Sequence, residues 1–442
     1  MDTRPSGLEQ KVYQWIPGLA VARNYQREWL MGDLVAGIVL VALLVPQGIA
    51  YAELAGLPPV LGLYATMIPL IVYAIMGPSR ILVLAPDSAI APVVAATIIP
   101  LAGSDTSERV ALAGAVAIMV GVICLVGGIA GFGFVTELFS KPVRIGYLTG
   151  IAVSVIASQM PRLLGLSASG DGLFGSLERL VRDIDQADMA TMAIGVGALA
   201  IILVLRRVDT RIPSALIVVV LGILANTWLD LTSDTVGSLP VGLPGLVFPD
   251  VELGSLRSLV LPAIAISLIA FADTSVLSRS YAGRGGEEVD QNQELRALGC
   301  ANMLTGIFQG FPISSSSSRT PAAEASGSKT QLTGLVSAAG LAVVLVFANN
   351  LFVDLPAAVL AAIVIAAVIN LIDIEGFRRL WVVYRPDFGL AVSGFVGVAV
   401  FGVLEGVGIA IGLSILALLW RSWHPYNAVL GRAPGVKGYH DI

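Results

Sequence analysis

Residues 311–327 read FPISSSSSRTPAAEASG. Five consecutive serines and one arginine stand between Pro312 and Pro321, in a chain otherwise almost free of polar runs. Apolar segments flank this stretch on both sides, so hydroxyls, backbone N–H groups and a guanidinium are set in hydrophobic surroundings and suit an oxyanion. A polar surface loop is the plain alternative. A similar interruption lies upstream, where the β-like run ILVLA at 81–85 breaks at Pro86-Asp87-Ser88. Broken apolar segments at corresponding places in two halves of a chain point to a transporter's binding site.

Composition puts both breaks in a membrane. The 442 residues are 56% hydrophobic and 13% charged, where a soluble domain carries about 25% charge, and the mean hydropathy is +0.85. Apolar stretches of about 18 residues or more, the length of a spanning helix, recur from Asp33 to Trp420. These features exclude a soluble enzyme, a disordered chain and a nucleic-acid binder. Cys124 and Cys300 lie in apolar runs, so no disulfide framework is expected. His424 and His440 follow the last apolar run. No imidazole is then available inside the membrane as metal ligand or general base, and neither metal nor cofactor is expected. The first thirty residues mix acidic and basic side chains and lack the apolar core of a signal peptide. Trp15 and Trp29 predict a helix along the interface there.

Fourteen segments are predicted near 33–54, 59–76, 81–100, 109–131, 142–164, 189–206, 213–230, 258–281, 291–311, 313–326, 330–349, 356–372, 388–404 and 406–421. With the N-terminus inside, 20 of the 26 Lys and Arg fall on the inner side. Arg109, Arg162, Arg179, Arg182 and Arg257 fall outside, and Arg319 is left within the membrane. That asymmetry follows the positive-inside rule and predicts an even number of spans in the cell membrane, with both termini cytoplasmic. Twelve spans, with the short segments as loops, is the alternative.

The third and tenth segments are each the third of seven. Pro86 and Pro312 are 226 residues apart, as are Gln47 and Asp273. Seven is odd, so the second half would be inserted upside down. Two half-helices would then point their N-termini at each other near the midplane, each carrying about +0.5 charge and unpaired N–H groups. That is a cradle for an anion, with Ser88 and Ser317 or Ser318 as N-caps.

Individual residues carry the chemistry. Arg319 is the one basic residue assigned within the membrane, where a charge costs about 2.5–3.5 kcal/mol on insertion scales. It reads as an anion ligand, or as a structural partner of Asp87 or Glu324. Asp273 follows an almost wholly apolar decapeptide, which suits a group that takes up and releases a proton. With Thr274 it could instead ligate sodium, or be an inert hydrogen-bonded carboxylate. Asp87 reads equally as a helix cap and as a site residue. Gln47 and Tyr51, at i and i+4 after Pro46, share a helix face and are neutral donors for a substrate or ordinary inter-helix hydrogen bonds.

These stretches carry a family resemblance. GLPPVLGLYATMIPLIVYAIMGPSR at 56–80, APDSA at 85–89, FADTSV at 271–276, NQELRALGCAN at 292–302 and FPISSSSSR at 311–319 stand in the order found in the SulP, or sulfate permease, anion transporters. The chain resembles that family over residues 30–430. The resemblance implies an all-α polytopic membrane protein of 14 transmembrane segments. They would form two inverted seven-span repeats, with short β-strands leading into half-helices 3 and 10. It implies a cytoplasmic or interfacial N-terminus at 1–30, a core domain at 31–131 and 257–350, and a gate domain at 132–256 and 351–421. It places the anion on Asp87, Ser88, Ala89, Ser317, Ser318 and Arg319, the coupling carboxylate on Asp273, and the protein in a homodimer. Many members have a small or apolar residue where Asp87 stands. Residues 422–442 resemble the cytoplasmic linker toward a STAS domain, so the chain reads as the membrane domain without it.

The function expected is secondary transport of a small oxyanion, sulfate foremost, with protons. Bicarbonate or a dicarboxylate, with sodium, is the alternative, and an uncoupled anion channel or membrane motor is a different class. A nucleobase symporter would need a site rich in carboxylates rather than a Ser-Arg run. An enzyme is not expected, because no nucleophile–base or metal constellation appears.

Overall fold

The computed structural model describes residues 13, 15–134, 140–166, 172–209, 212–229, 234–238, 240, 242–285, 289–423, 430–431 and 440–441. Most of the expected linker at 422–442, and the first twelve residues of the expected interfacial segment, lie outside the described residues. Each of the fourteen predicted segments falls on a helix. In chain order they are α1 (Pro17–Arg23), α2 (Leu30–Leu54), α3 (Pro59–Met76), the strand β1 (Leu84–Ala85), α4 (Ala91–Ala102), α5 (Thr106–Ile129) and α6 (Lys141–Leu163). Next come α7 (Gly172–Asp183), α8 (Met189–Val208), α9 (Ser214–Leu229), α10 (Leu253–Ser258), α11 (Val260–Gly285) and α12 (Gln291–Ile307). The strand β2 (Ser314–Ser315) precedes α13 (Arg319–Ala325), α14 (Leu332–Phe347), α15 (Ala357–Val368), α16 (Ile374–Val383), α17 (Arg385–Phe401) and α18 (Val403–Trp423). Among the described residues seven helical stretches are long and apolar enough to cross a membrane, and four more apolar helices are shorter. Helices α7, α10 and α16 fall between the predicted segments, because their mixed polar sequences carry no long apolar run.

Two sets of helices pack mainly among themselves. In one, α5 lies along α12, and α2, α3 and α14 pack on one another. In the other, α6 lies along α17, α17 along α18, and α15 against α6 and α8. The closest approaches are made by glycines. Gly114, Gly121 and Gly128 recur every seven residues on α5 and meet Gly306, Gly299 and the Arg296 turn of α12. A Cβ at Gly121 would run into the backbone of Met303 and Gly299. Small residues let two backbones meet in this way, which is how helices associate where lipid removes the usual hydrophobic drive.

Polar side chains lock the first set around the two strands. Asp33 of α2 is fully buried and its two oxygens accept five hydrogen bonds. The donors are Lys329 N (2.7 Å), Thr330 N (3.0 Å), Thr330 Oγ1 (2.6 Å), Thr333 Oγ1 (3.1 Å) and Tyr25 OH (3.1 Å). The turn between α13 and α14 is thereby fastened to α2. Gln331 Nε2 then donates to Ser79 O and Leu82 O, which holds the segment leading into β1. A buried carboxylate so fully satisfied is a fastening rather than a free charge.

Candidate functional site

The strands β1 and β2 pair antiparallel, Leu84 opposite Ser315 and Ala85 opposite Ser314. Each is only two residues long and would not hold alone, so surrounding side chains complete it. Asn302 of α12 clamps the residue before β2: its Oδ1 accepts from Ile313 N (2.9 Å) and its Nδ2 donates to Ile313 O (3.2 Å). Ser315 N donates to Thr274 Oγ1 of α11 (3.4 Å), and Val83 N donates to Thr320 Oγ1 (3.1 Å). The chain leaves β2 as the run Ser316–Ser318, where Ser316 Oγ and Ser318 Oγ lie 3.0 Å apart.

Beyond β1, Asp87 Oδ2 accepts from Ala89 N (3.0 Å) and Asp87 O accepts from Ile90 N and Ala91 N. The turn so formed feeds α4. Arg319, 1% exposed, reaches Asp87 Oδ1 through Nη2 at 3.4 Å, and its Cζ stands 6.0 Å from the Tyr51 ring centre. Its Nε and Nη1 have no hydrogen-bond partner, nor has Ser315 Oγ. Partnerless buried donors next to serine hydroxyls are what an anion would satisfy.

Between the two sets of helices lies a cavity of about 340 Å³. One wall carries Tyr51, Asp87, Ser88, Asp273 and the serines 315–318; the other carries Arg144, Ile145 and Leu148 of α6 with Ala367 and 370–373 beyond α15. A larger cavity of about 580 Å³, whose charged lining is Asp105, Glu108, Asp250 and Glu252, lies away from the strands and offers a substrate anion no cationic side chain.

A sequence model of the sulfate permease family matches residues 30–394. The chain belongs to this family. A protein of Mycobacterium tuberculosis (strain CDC 1551 / Oshkosh) named a probable sulfate transporter is 40% identical over 97% of this chain and 77% of its own length. Human solute carrier family 26 member 6 is 32% identical over 98% of this chain and 60% of its own length. Among solved structures, the murine Slc26a9 anion transporter in its inward-facing state superposes with a TM-score of 0.89 at 22% identity, over 100% of this chain and 77% of that one. The transmembrane domain of a cyanobacterial bicarbonate transporter superposes with a TM-score of 0.76 at 23% identity, over 89% of this chain and 98% of that one. The sulfate permease family member described here is thus a polytopic membrane protein, and the relatives just named are transporters rather than enzymes.

The sulfate permease motifs fall around one place, with several differences from expectation. Tyr51, Asp87, Ser88, Asp273, Ser317 and Ser318 line the cavity. Gln47, Ala89, Thr274 and Arg319 are buried behind that lining. The serines do not cap: α4 begins at Ala91 after Ile90, and Ser318 ahead of α13 makes no side-chain cap bond. Helix α13 has only seven residues, too few for a strong terminal charge. Pro86 follows its strand whereas Pro312 precedes its own, so their 226-residue spacing joins unlike positions. Arg319 is paired with Asp87 and not with Glu324. Five polar lining residues, Asn370 among them, are not singled out by the sequence alone. Ser315 and Ser316 were absorbed in the serine run, Arg144 was counted with the loop charges, and Asp373 belongs to the unpredicted α16, whose first turn it caps through Gly376 N (2.7 Å).

Proposed function

We propose that this protein is a secondary transporter of a small oxyanion, sulfate foremost, driven by protons and working by alternating access. The observation that carries the reading is the cavity between the two helix sets, where serine hydroxyls and the Asp87–Arg319 pair meet Asp273, a carboxylate with no hydrogen-bonded partner. Sulfate is favoured over other oxyanions by the name of the mycobacterial relative.

The charges at the cavity argue for protons. Asp87, Asp273 and Asp373 line it with Arg144, and Arg319 stands behind. An anion added to three carboxylates is repelled unless they are neutralised. Asp87 has Arg319 and Asp373 caps α16. The Asp273 side chain has no hydrogen bond or close ion pair with any described residue, with Asp87 and Arg144 acting on it only at a distance, so it is the group that gains most by binding a proton when the anion arrives. Thr274, occupied by Ser315 N and outside the lining, does not offer Asp273 a second oxygen for sodium.

Access follows from the two ends of α6. Arg144, near its start, faces the cavity beside exposed Asn370 and Asp373. Arg162, eighteen residues and about 27 Å further along, pairs with Glu53 at the end of α2 (3.3 Å). The molecule is open at the first end and fastened at the other. The excess of basic residues in the predicted inner loops supports a cytoplasmic assignment for the open end and both termini. On this reading the core is 31–131 and 257–350 and the gate is 132–256 and 351–421, a division supported by the packing of α5 on α12 and of α6 on α17. The reading extends to fourteen spans in two inverted repeats, the strands β1 and β2 being each repeat's route into its short helix.

Radiolabelled uptake into proteoliposomes tests it, comparing sulfate, bicarbonate, succinate and chloride with and without a pH gradient. Sulfate concentrated by an inward proton gradient supports the reading. Pure conductance without accumulation contradicts it.

A further inference from the structure

Arg319 is a pinned charge. It is 1% exposed, tied to Asp87 and absent from the cavity lining. The guanidinium that does line the cavity is Arg144, on the opposite wall. The Arg144 side chain is half-buried, makes no hydrogen bond or close ion pair with any described residue, and has Asp273 within electrostatic reach across the cavity. Its position is fixed by its helix. Gly146 and Gly150 of α6 lie so close to Ala391, Phe395 and Val398 of α17 that a Cβ would strike them. The α6 residues Arg144, Ile145 and Leu148 face the cavity instead. Across from them stand the serines 315–318.

We propose that Arg144 is the gate-side ligand of the transported oxyanion and the residue that selects polyatomic oxyanions over halides. The inference rests on the anion-transport reading and deepens it. A guanidinium whose N–H donors have no hydrogen-bond partner presents a planar fork that grips two oxygens of one anion at once. A halide offers a single centre and gains only the charge. An oxyanion held by serine hydroxyls on one wall and by Arg144 on the other bridges the two helix sets, so recognition and closure become one event. Lysine at this position keeps the charge and loses the fork.

The test measures equilibrium binding of [35S]sulfate to purified protein, and its displacement by chloride, for wild type, Arg144→Gln and Arg144→Lys. Arg144→Gln is expected to weaken sulfate binding at least tenfold. Arg144→Lys is expected to weaken sulfate several-fold while chloride displaces it at lower ratios than in wild type. Monodispersity and melting temperature report folding, and the Lys variant remains readable if the Gln variant does not fold. Wild-type affinity and wild-type sulfate-to-chloride ratio in the Lys variant overturn the role of Arg144. Absence of sulfate binding by wild type itself would instead overturn the transport reading.

Discussion

Arg319 Nη2 stands 3.4 Å from Asp87 Oδ1, joining the end of the serine run to the turn that follows β1. The two residues are 232 apart in sequence, and each would be a costly lone charge in this interior. Removing one partner of a buried pair costs about 3–5 kcal/mol, because the other is left uncompensated. Asp87→Ala should therefore lower the melting temperature of the purified protein steeply. Asp87→Ala with Arg319→Ala should recover part of that loss. A loss in the double variant equal to the sum of the losses in Asp87→Ala and Arg319→Ala alone would show that the pair is not coupled.

Asn302 is expected to govern the position of β2. It makes three hydrogen bonds to backbone, two to Ile313 and one to Leu298, each worth about 1 kcal/mol net. Asn302→Ala should cost roughly 2–3 kcal/mol and weaken sulfate affinity although the residue touches no part of the cavity. Titrating sulfate against the folded variant checks this.

The Glu53–Arg162 pair at the far ends of α2 and α6 is partly solvated, so its worth is about 0.2–1 kcal/mol. Arg162→Ala should leave folding intact and shift the balance between inward- and outward-open forms by at most about fivefold. Labelling rates of a cysteine placed at Leu57, measured from the outside, should rise accordingly.

Outside the membrane, Asp105 caps α5. The Ser107 hydroxyl, with the amides of Glu108 and Ser107, holds its carboxyl below the usual carboxylate range. The folded protein thus binds fewer protons at this group than the unfolded chain. Its contribution is present above about pH 4, the unfolded value, and is lost as pH falls toward the lower folded value. The melting-temperature gap between wild type and Asp105→Ala should shrink on acidification through that range.

Much of this was legible in the sequence because lipid imposes strong rules. Long apolar runs locate helices whatever their neighbours, and the Pro86 and Pro312 breaks locate the two strands. What was not legible depends on tertiary placement. Arg144 follows Lys141 and Pro142 at a helix start and looks like any loop cation; only the packing of α6 on α17 turns it to the cavity. Asp33 looks like a first-turn acid until the 328–333 turn closes on it. Thr274 beside Asp273 suggests a shared ligand set, yet on a helix neighbours diverge by about 100°. One residue lines the cavity and the other supports β2.

The central claim is that Asp273 couples protons to the oxyanion. Its most direct test is [35S]sulfate accumulation in proteoliposomes with a pH gradient as the only driving force, wild type against Asp273→Asn. The amide stands in for the protonated carboxyl, so the account predicts that the variant binds sulfate and exchanges it for sulfate but does not concentrate it, whereas wild type does. Undiminished accumulation by Asp273→Asn would contradict the account.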